Sequence, residues 1–188
     1  MKFRYFLALP FVAAAILASA SAEPVKPMTD QQLLQALIGK WEGTCRTWFK
    51  PEKMEDESPV SGEFVAAFDG HVVRHVYKGS MHSKPRNGEE LLAFNAMTKS
   101  FQSAWFDSFH TGNAIMFSQG GRIERGFAVL TEYGVGENEP KWGWRTEYEI
   151  IDKDHLTITA YNILPEGNSF TGKGMEYKAV ETVYQRVK

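Results

Sequence analysis

Three histidines that lie close together are the first candidates for chemistry in this sequence, because imidazole is a common metal ligand. They are His71, His75 and His82. On a β-strand, four residues span about 13 Å, which is too far for His71 and His75 to share one ion. The valines between them favour a strand over a helix. We therefore expect no metal site here, and no cofactor elsewhere in the chain.

His75 and Tyr77 share one face of this predicted strand with Val73, whereas Arg74 and Lys78 share the other face. If the charged face points to solvent, His75 and Tyr77 point into the protein. Two interpretations stay open at this stage. The histidine either bonds to a neighbouring hydroxyl group within a packed core, or it contacts a bound ligand.

An acidic residue on a later strand is the next candidate. Trp105 and Asp107 lie on the same face of the predicted strand as Phe101 and Ser103. The Asp107 carboxylate is therefore either buried beside the Trp105 indole or exposed with it. A buried carboxylate needs a partner, either as a structural ion pair or as a group that polarises a substrate. The candidate partners are Arg122, Arg125 and Arg145.

His110 follows Asp107 by three residues, at the end of the same strand. The two side chains could form an acid/base pair. Strand geometry at this spacing predicts, however, that they do not point towards one place.

Aromatic side chains form another group of candidates. The segment from Trp142 to Ile150 alternates apolar and polar residues, and its apolar set is expected to face the interior. The set and the rings that could join it are Trp142, Trp144, Thr146, Tyr148, Ile150, Phe64, Phe94, Tyr161 and Ile163. These residues either line a cavity for an apolar or planar ligand or fill the interior of a narrow barrel.

Composition and missing motifs exclude several classes of function. Lys and Arg number 21 against 23 Asp and Glu, so the sequence lacks the basic excess of a nucleic-acid-binding protein. It contains no G-x-S-x-G, no C-x-x-C and no glycine-rich phosphate loop. The single cysteine, Cys45, excludes an intramolecular disulfide and is expected to be a small buried apolar residue.

The elements that must position these residues are one short helix and a long series of strands. Thr29 and Gln32 have the spacing of a capping box, leucines follow at helical spacing, and Gly39 is placed to end the helix. The period then changes to two. Strand patterns cover residues 41–49, 60–68, 72–79, 89–96, 101–109, 114–119, 123–133, 142–151, 155–164 and 175–187.

Turn residues separate these segments, and Asn87-Gly88 and Gly120-Gly121 are among the predicted reversals. Many short strands without intervening helices predict an all-β fold with antiparallel neighbours. Closure removes exposed strand edges, so we expect an up-and-down β-barrel of about eight to ten strands rather than a sandwich, with a short N-terminal helix.

The first 22 residues have the pattern of a secretory signal peptide. Lys2 and Arg4 precede the apolar residues 6–17, and Ala20-Ser21-Ala22 forms an A-x-A cleavage site.

Pro10 interrupts the apolar stretch, which is shorter than the ~20 residues of a membrane-spanning helix. We expect cleavage before Glu23, a single domain over residues 23–188, and a periplasmic or secreted product without stable membrane insertion. The intact mass of the exported protein tests this, because an uncleaved chain would contradict it.

Gly39-Lys40-Trp41, at the start of the first strand, resembles the G-x-W opening of the lipocalin and fatty-acid-binding superfamily of small barrels. The resemblance implies that Trp41 closes one end of the barrel and that an arginine from the last strand packs across it. Arg186 lies at the matching place in this sequence. A cation-π pair between Trp41 and Arg186 is therefore expected.

Further motifs extend this resemblance over most of the chain, from about Leu34 to Arg186. They are Gly70 with Tyr77 and Gly79, Leu92-Ala93-Phe94-Asn95, Lys99 to Phe101, Trp105-Phe106-Asp107-Ser108, and Met175-Glu176-Tyr177 leading to Tyr184. Together they resemble a widespread uncharacterised bacterial family of lipocalin-like proteins, a domain of unknown function. Asn95 stands where that family more usually has Asp. The resemblance implies a barrel with a cavity, and it implies no reaction.

Two functional hypotheses follow. The first is a non-enzymatic barrel that binds a small hydrophobic or amphipathic molecule in an aromatic cavity. Its predicted ligand-binding residues are Phe64, His75, Tyr77, Phe94, Trp105, Asp107, Trp144, Tyr148 and Tyr161.

The alternative is a haem-binding protein or a small-molecule enzyme that uses His75, His110 or Asp107. The G-x-W opening is shared with nitrobindin-like barrels, which bind haem through a histidine. Cys45 replaces the last glycine of their fuller G-x-W-x-G-x-G motif.

Overall fold

An eight-residue helix precedes ten consecutive strands in the computed structural model, which describes residues 27–188. The elements are α1 (Asp30–Leu37), β1 (Gly39–Lys50), β2 (Lys53–Ala67), β3 (Val72–Met81), β4 (Lys84–Asn95), β5 (Ser100–Asp107), β6 (Met116–Ile123), β7 (Gly126–Tyr133), β8 (Trp142–Ile150), β9 (His155–Leu164) and β10 (Met175–Arg186). The predicted signal peptide and its cleavage site lie outside the described residues.

The ten strands form one closed antiparallel barrel in which each strand pairs with its neighbours along the chain and β10 pairs with β1. The predicted fold class is therefore confirmed. Closure leaves no free strand edge in the sheet, which is how a meander of this length satisfies its backbone hydrogen bonds.

Helix α1 covers one end of the barrel. Thr29 caps it as the sequence predicts, because its side chain accepts a hydrogen bond from the Gln32 backbone N–H while the Gln32 side chain accepts one from the Thr29 N–H. Leu33, Leu34 and Leu37 are buried, and the helix packs against β3, β4 and β8. The apolar face of the helix thus seals the barrel floor.

Trp41 and Arg186 join this helix to the first and last strands. They pair across β1 and β10, and the guanidinium lies 4.1 Å above the Trp41 ring, which confirms the expected cation-π contact. Arg186 also donates hydrogen bonds of 2.8 and 2.5 Å to the carbonyl oxygens of Ala36 and Ile38. These carbonyls at the helix C-terminus have no helical partner, so Arg186 caps the helix as well.

Gly39 of the G-x-W motif is required by this contact. A Cβ at residue 39 would lie 2.2 Å from Arg186 Nη1, and the φ of Gly39 is 143°, a conformation that favours glycine. The glycine of the motif is therefore required because the Arg186 guanidinium packs directly over the backbone of residue 39.

Two predicted reversals are wrong, because Asn87-Gly88 lies within β4 and Gly120-Gly121 lies within β6. The chain turns instead at His82-Ser83, where both residues have positive φ (49° and 63°) and Met81 pairs with Lys84. Gly88 lies within β4, where a Cβ would come 2.2 Å from the Tyr77 ring. The absence of a side chain at Gly88 leaves space for the Tyr77 ring to cross β4.

Gly120-Gly121 likewise belongs to β6, and Ile123 pairs with Gly126 across a two-residue turn. A Cβ at Gly120 would lie 2.1 Å from the carbonyl oxygen of Ala128 on β7. Gly120 therefore permits the close approach of β6 and β7. A glycine needed for such an approach and a glycine needed for a turn look the same in the sequence.

The long connections lie at the end of the barrel opposite the helix. They are residues 108–115, 134–141 and 165–174. Loops at one end of a rigid sheet are the usual place for binding residues, so this end forms the mouth of the barrel. Within residues 27–188, no helix has the length and apolar character needed to span a membrane.

Replacing Trp41 by alanine should lower the free energy of unfolding by the ~3 to 5 kcal/mol typical of a large buried aromatic residue, because the ring fills the floor and supports Arg186. Phe117→Ala is the matched control, since Phe117 is 55% exposed on the outer face of β6. Urea midpoints of the two variants measure the difference. Equal, small shifts would contradict the floor assignment.

Candidate functional site

The barrel interior holds two adjoining chambers above a packed floor. The lower chamber has a volume of about 70 Å³ and is lined by residues of most strands, including His75, Arg86 and Glu90. The upper chamber, of about 170 Å³, lies at the mouth. His110 and Trp144 line both chambers and mark the boundary between them.

Aromatic rings form the wall at this boundary. Trp105 and Trp144 stack with ring centroids 5.6 Å apart and an interplanar angle of 17°. The His110 ring lies 5.7 Å from Trp105 and 5.6 Å from Trp144. Such a wall offers a flat apolar surface to a ligand.

Asp107 is the centre of a buried hydrogen-bond network. Its side chain is fully buried, and Oδ2 accepts a hydrogen bond of 3.0 Å from the Tyr77 hydroxyl group and lies 2.8 Å from His110 Nδ1. Trp105 Nε1 donates to the Tyr77 oxygen over 3.0 Å. The absence of a side chain at Gly88 lets Tyr77 cross β4 and reach Asp107.

The expected partners of Asp107 were arginines, and this expectation is wrong. Arg122 pairs with Asp30, Arg145 pairs with Glu147 and Glu176, and Arg125 donates to the carbonyl oxygen of Ile151. Arg145 lies on the outer face of β8, because it alternates with the inward Trp144. Arg122 and Arg125 lie at the helix end of the barrel, at the end of β6 and in the turn that follows it, so neither reaches Asp107 at the opposite end.

The expectation that Asp107 and His110 diverge is also wrong. The strand ends at Asp107, whose Oδ1 accepts hydrogen bonds from the backbone N–H groups of Phe109 and His110. This turn folds the chain back and brings the His110 ring onto the same carboxylate. Local side-chain bonding to the backbone therefore replaces the extended geometry that the strand pattern predicts.

Burial alone would raise the pKa of Asp107, but the hydrogen bond and charge of His110 outweigh it. Together with the backbone N–H groups of His110 and Phe109, they lower the pKa of Asp107 to about 2. Asp107 is thus an anion in the folded protein. Because an anionic carboxylate can only accept hydrogen bonds, the His110 ring carries a proton on Nδ1 and donates it to Asp107.

A second carboxylate, Glu90, lies deeper in the lower chamber. Its Oε1 accepts hydrogen bonds from the hydroxyl groups of Ser103 and Tyr148. Burial, followed by the charge of Glu90, raises the pKa of Tyr148 well above its ordinary value, so this phenol remains a donor. Both hydroxyl donors stabilise the buried glutamate.

His75 faces inward, as its strand pattern predicts. Its ring stacks on Phe64 with centroids 3.8 Å apart, and its Nδ1 lies 3.6 Å from Glu90 Oε2. Neither ring nitrogen has a hydrogen-bond partner in the described part of the chain. The interpretation that His75 bonds to a neighbouring hydroxyl group is therefore wrong, although the Tyr184 hydroxyl approaches the same region beside Gly62.

Arg86 is a member of the site that the sequence analysis missed. It is 4% exposed and donates from Nη2 to Cys45 Sγ over 3.0 Å. The predicted turn at Asn87-Gly88 had placed it in a loop. The inward alternation of Arg86, Gly88 and Glu90 on β4 was the signal that could have found it.

The predicted aromatic lining is partly in the cavity and partly elsewhere. Tyr77, Trp105, Trp144 and Tyr148 line the lower chamber. Phe64 and Phe94 instead belong to the packed floor, below the chamber. The floor is filled by stacked rings, as in Phe101 with Phe127 at 4.2 Å.

Tyr161 was expected inside, and this is wrong. The inward positions of β9 are Ile158, Ala160 and Asn162, so Tyr161 lies on the outer face together with Ile163. There it pairs with Arg145, whose guanidinium lies 4.2 Å from the ring centroid. An aromatic ring that packs against a cation is stable on a protein surface. The aromatic character of Tyr161 therefore does not show which face of the sheet it occupies.

The expected alternative of a haem site does not fit this interior. The His75 ring is stacked on Phe64, and its Nδ1 faces Glu90. In residues 27–188, no group of three or more His, Cys, Asp or Glu is arranged to hold a metal ion.

Comparison with known proteins adds a family and a fold. A family model described as "Protein of unknown function (DUF1579)" matches residues 26–186. No protein in a search of the curated proteins matches the chain.

Two solved structures are similar to the chain. The S-type phycobiliprotein lyase CPES from Guillardia theta has a TM-score of 0.53 and 15% identity, over 86% of this chain and 94% of that one. Rv2717c from M. tuberculosis has a TM-score of 0.58 and 12% identity, over 87% of this chain and 100% of that one. At these identities the likeness shows the fold alone.

The acid response of the protein should depend on Asp107. Lowering its pKa from 3.8 to about 2 corresponds to about 2 kcal/mol of stability, present above pH 3.8 and lost as the pH falls through about 2. Asp107→Asn should therefore be less stable than the wild type at neutral pH, and the difference should shrink as the pH falls through this window. Denaturant midpoints measured from neutral pH to about pH 2 record it.

Asp152→Asn is the matched control, because Asp152 and His155 form the same pair three residues apart in an exposed turn. Solvent screens that pair, so its loss should change the pH dependence much less. A wild-type advantage over Asp107→Asn that stays constant across the whole pH range would contradict the assignment.

Proposed function

The chain belongs to the family described as "Protein of unknown function (DUF1579)", and we propose that it binds a small amphipathic molecule inside its barrel. The ligand lies in the lower chamber against Trp105 and Trp144 and extends towards the mouth. The barrel acts as a binding protein, and the side chains of the chamber hold the ligand without reacting with it.

The observation that supports this proposal most strongly is the unsatisfied hydrogen-bonding capacity of the buried His75 ring. It is 4% exposed, lines the lower chamber, and has two ring nitrogens without a hydrogen-bond partner among residues 27–188. Leaving a buried polar group without a partner costs about 1–3 kcal/mol, so proteins retain few of them. A ligand with a polar group supplies the partner that the protein lacks.

The size and lining of the chambers support the same proposal. The lower chamber combines apolar walls with a few polar groups, which is the usual composition of a small-molecule site. Its small volume favours a ligand that places only one end there and the remainder in the upper chamber. One protein of similar fold is named as a phycobiliprotein lyase, which is consistent with a barrel that handles a small molecule.

We also propose that the chain is a member of the lipocalin and fatty-acid-binding superfamily, whose G-x-W opening it shares. The signal-peptide pattern of residues 1–22 supports a periplasmic or secreted location.

A neutral fluorescent probe tests the binding site. N-phenyl-1-naphthylamine should bind the wild-type protein with increased fluorescence, and Trp144→Ala should weaken binding about tenfold because one face of the wall is lost. Tyr161→Ala is the matched control on the neighbouring strand, with its ring outside the barrel. It should bind the probe as the wild type does.

Thermal melts of the same variants without probe complete the test. Phe64→Ala, from the packed floor, should lose ~3 to 5 kcal/mol of stability, whereas Trp144→Ala should lose less because its ring borders free space. A wild-type protein that binds no probe, or equal binding by all variants, would contradict the proposal.

A further inference from the structure

Arg86 differs from the other arginines in the described part of the chain. Arg46, Arg74, Arg122 and Arg145 donate to carboxylates, and Arg125 and Arg186 donate to backbone carbonyl oxygens. Arg86 donates to a sulfur atom, Cys45 Sγ, and its Nε has no partner in residues 27–188. It is also 4% exposed and lines the lower chamber.

Arg86 keeps its charge in this position. Burial would lower the pKa of its guanidinium, but Cys45, Tyr77 and Asp107 offset burial and hold the pKa above its ordinary value. A buried cation without a hydrogen-bonded anion is among the costliest arrangements in a protein.

The two carboxylates of the interior do not fill this role. Asp107 is bonded to Tyr77, His110 and two backbone N–H groups. Glu90 accepts from Ser103 and Tyr148. Asp107 is therefore satisfied by other donors, and Glu90 Oε2 faces His75 Nδ1 at 3.6 Å, whereas the guanidinium of Arg86 is left with unused N–H groups.

We propose that Arg86 binds an anionic group of the ligand, and that this group is a carboxylate on an aromatic or apolar body. The inference rests on the proposed function, because it assigns the polar end of the ligand in the same chamber. A carboxylate presents two oxygens to a guanidinium, and this geometry gives strong, directional hydrogen bonds.

The aromatic wall determines where the body of the ligand lies. Trp144 lines both chambers, and Trp105 stacks on it at 5.6 Å. A planar body that begins at Arg86 therefore passes along these rings towards the mouth. A cationic ligand is disfavoured, because it would meet the unpaired guanidinium.

Three naphthalene compounds of similar size test the charge preference of the wild-type protein. They are 2-naphthoate, the neutral 2-naphthylmethanol and the cationic 2-naphthylmethylammonium, each titrated by calorimetry. The wild type should bind naphthoate at least about tenfold more tightly than the alcohol, and should bind the cation most weakly.

Arg86→Met removes the charge and keeps an unbranched side chain. The preference for naphthoate over the alcohol should fall to under about twofold, while affinity for the alcohol should change little. Arg145→Met, on the outer face, is the matched control and should keep the wild-type preference.

The melting temperature of the ligand-free Arg86→Met variant provides an independent readout. It should lie close to that of the wild type, because Arg86 makes one hydrogen bond, to Cys45 Sγ, and neither Asp107 nor Glu90 depends on it for a hydrogen-bond donor. A large decrease, or failure to fold, would show that Arg86 is structural and would overturn the inference.

The titrations separate the two proposals. Equal or weaker binding of naphthoate relative to the alcohol, or an unchanged preference in Arg86→Met, would overturn the role of Arg86 and leave the binding cavity standing. Absence of binding by all three compounds to the wild type would contradict the binding cavity itself.

Discussion

The contact between Trp41 and Arg186 is the constraint on which the rest of this barrel depends. It joins the first strand to the last, and the same guanidinium takes up the carbonyl oxygens at the end of α1. One side chain therefore caps the helix and packs on the Trp41 ring at the place where the pairing of β1 with β10 closes the sheet. Because the floor is sealed, the polar side chains above it are shielded from water and must be satisfied by one another or by a ligand.

The interior changes in chemistry from the floor to the mouth. Stacked rings and leucines fill the lowest layer, charged and hydroxyl side chains occupy the middle, and tryptophans line the upper part. In the middle layer the carboxylates of Glu90 and Asp107 are well supplied with donors, whereas Arg86 and His75 have unused polar atoms. Such unequal satisfaction lowers the stability of an empty protein and is typical of sites that are completed by a ligand.

Strand alternation predicted much of this structure from the sequence. It indicated the closed barrel, the inward direction of His75 and Tyr77, and the burial of Trp144 and Tyr148, because a period of two fixes the face of each residue once one face is known. The prediction that Tyr161 faces the interior was wrong, because an aromatic residue on the outer face of a strand resembles a core residue in the sequence.

The site itself was harder to predict. The Asp107 to His110 contact depends on a turn in which a side chain bonds to the backbone, and strand periodicity contains no information about it. Arg86 was not recognised as an inward residue because Asn87-Gly88 was predicted to be a turn. Gly88 lies within β4, and its missing side chain leaves the space that the Tyr77 ring crosses. The first feature is a local turn, whereas the second depends on the contact of Tyr77 with Asp107, which is 30 residues away in the sequence.

The small-molecule content of the native protein is the most direct test of a ligand-binding barrel with a buried anion site. The protein is isolated from its own host without denaturation, its mass is measured under native conditions, and the released compound is analysed after unfolding. We expect a stoichiometric adduct that yields an acid with an apolar or aromatic body. A native mass equal to that of the polypeptide alone in every preparation, or an adduct that is a cation, would contradict it.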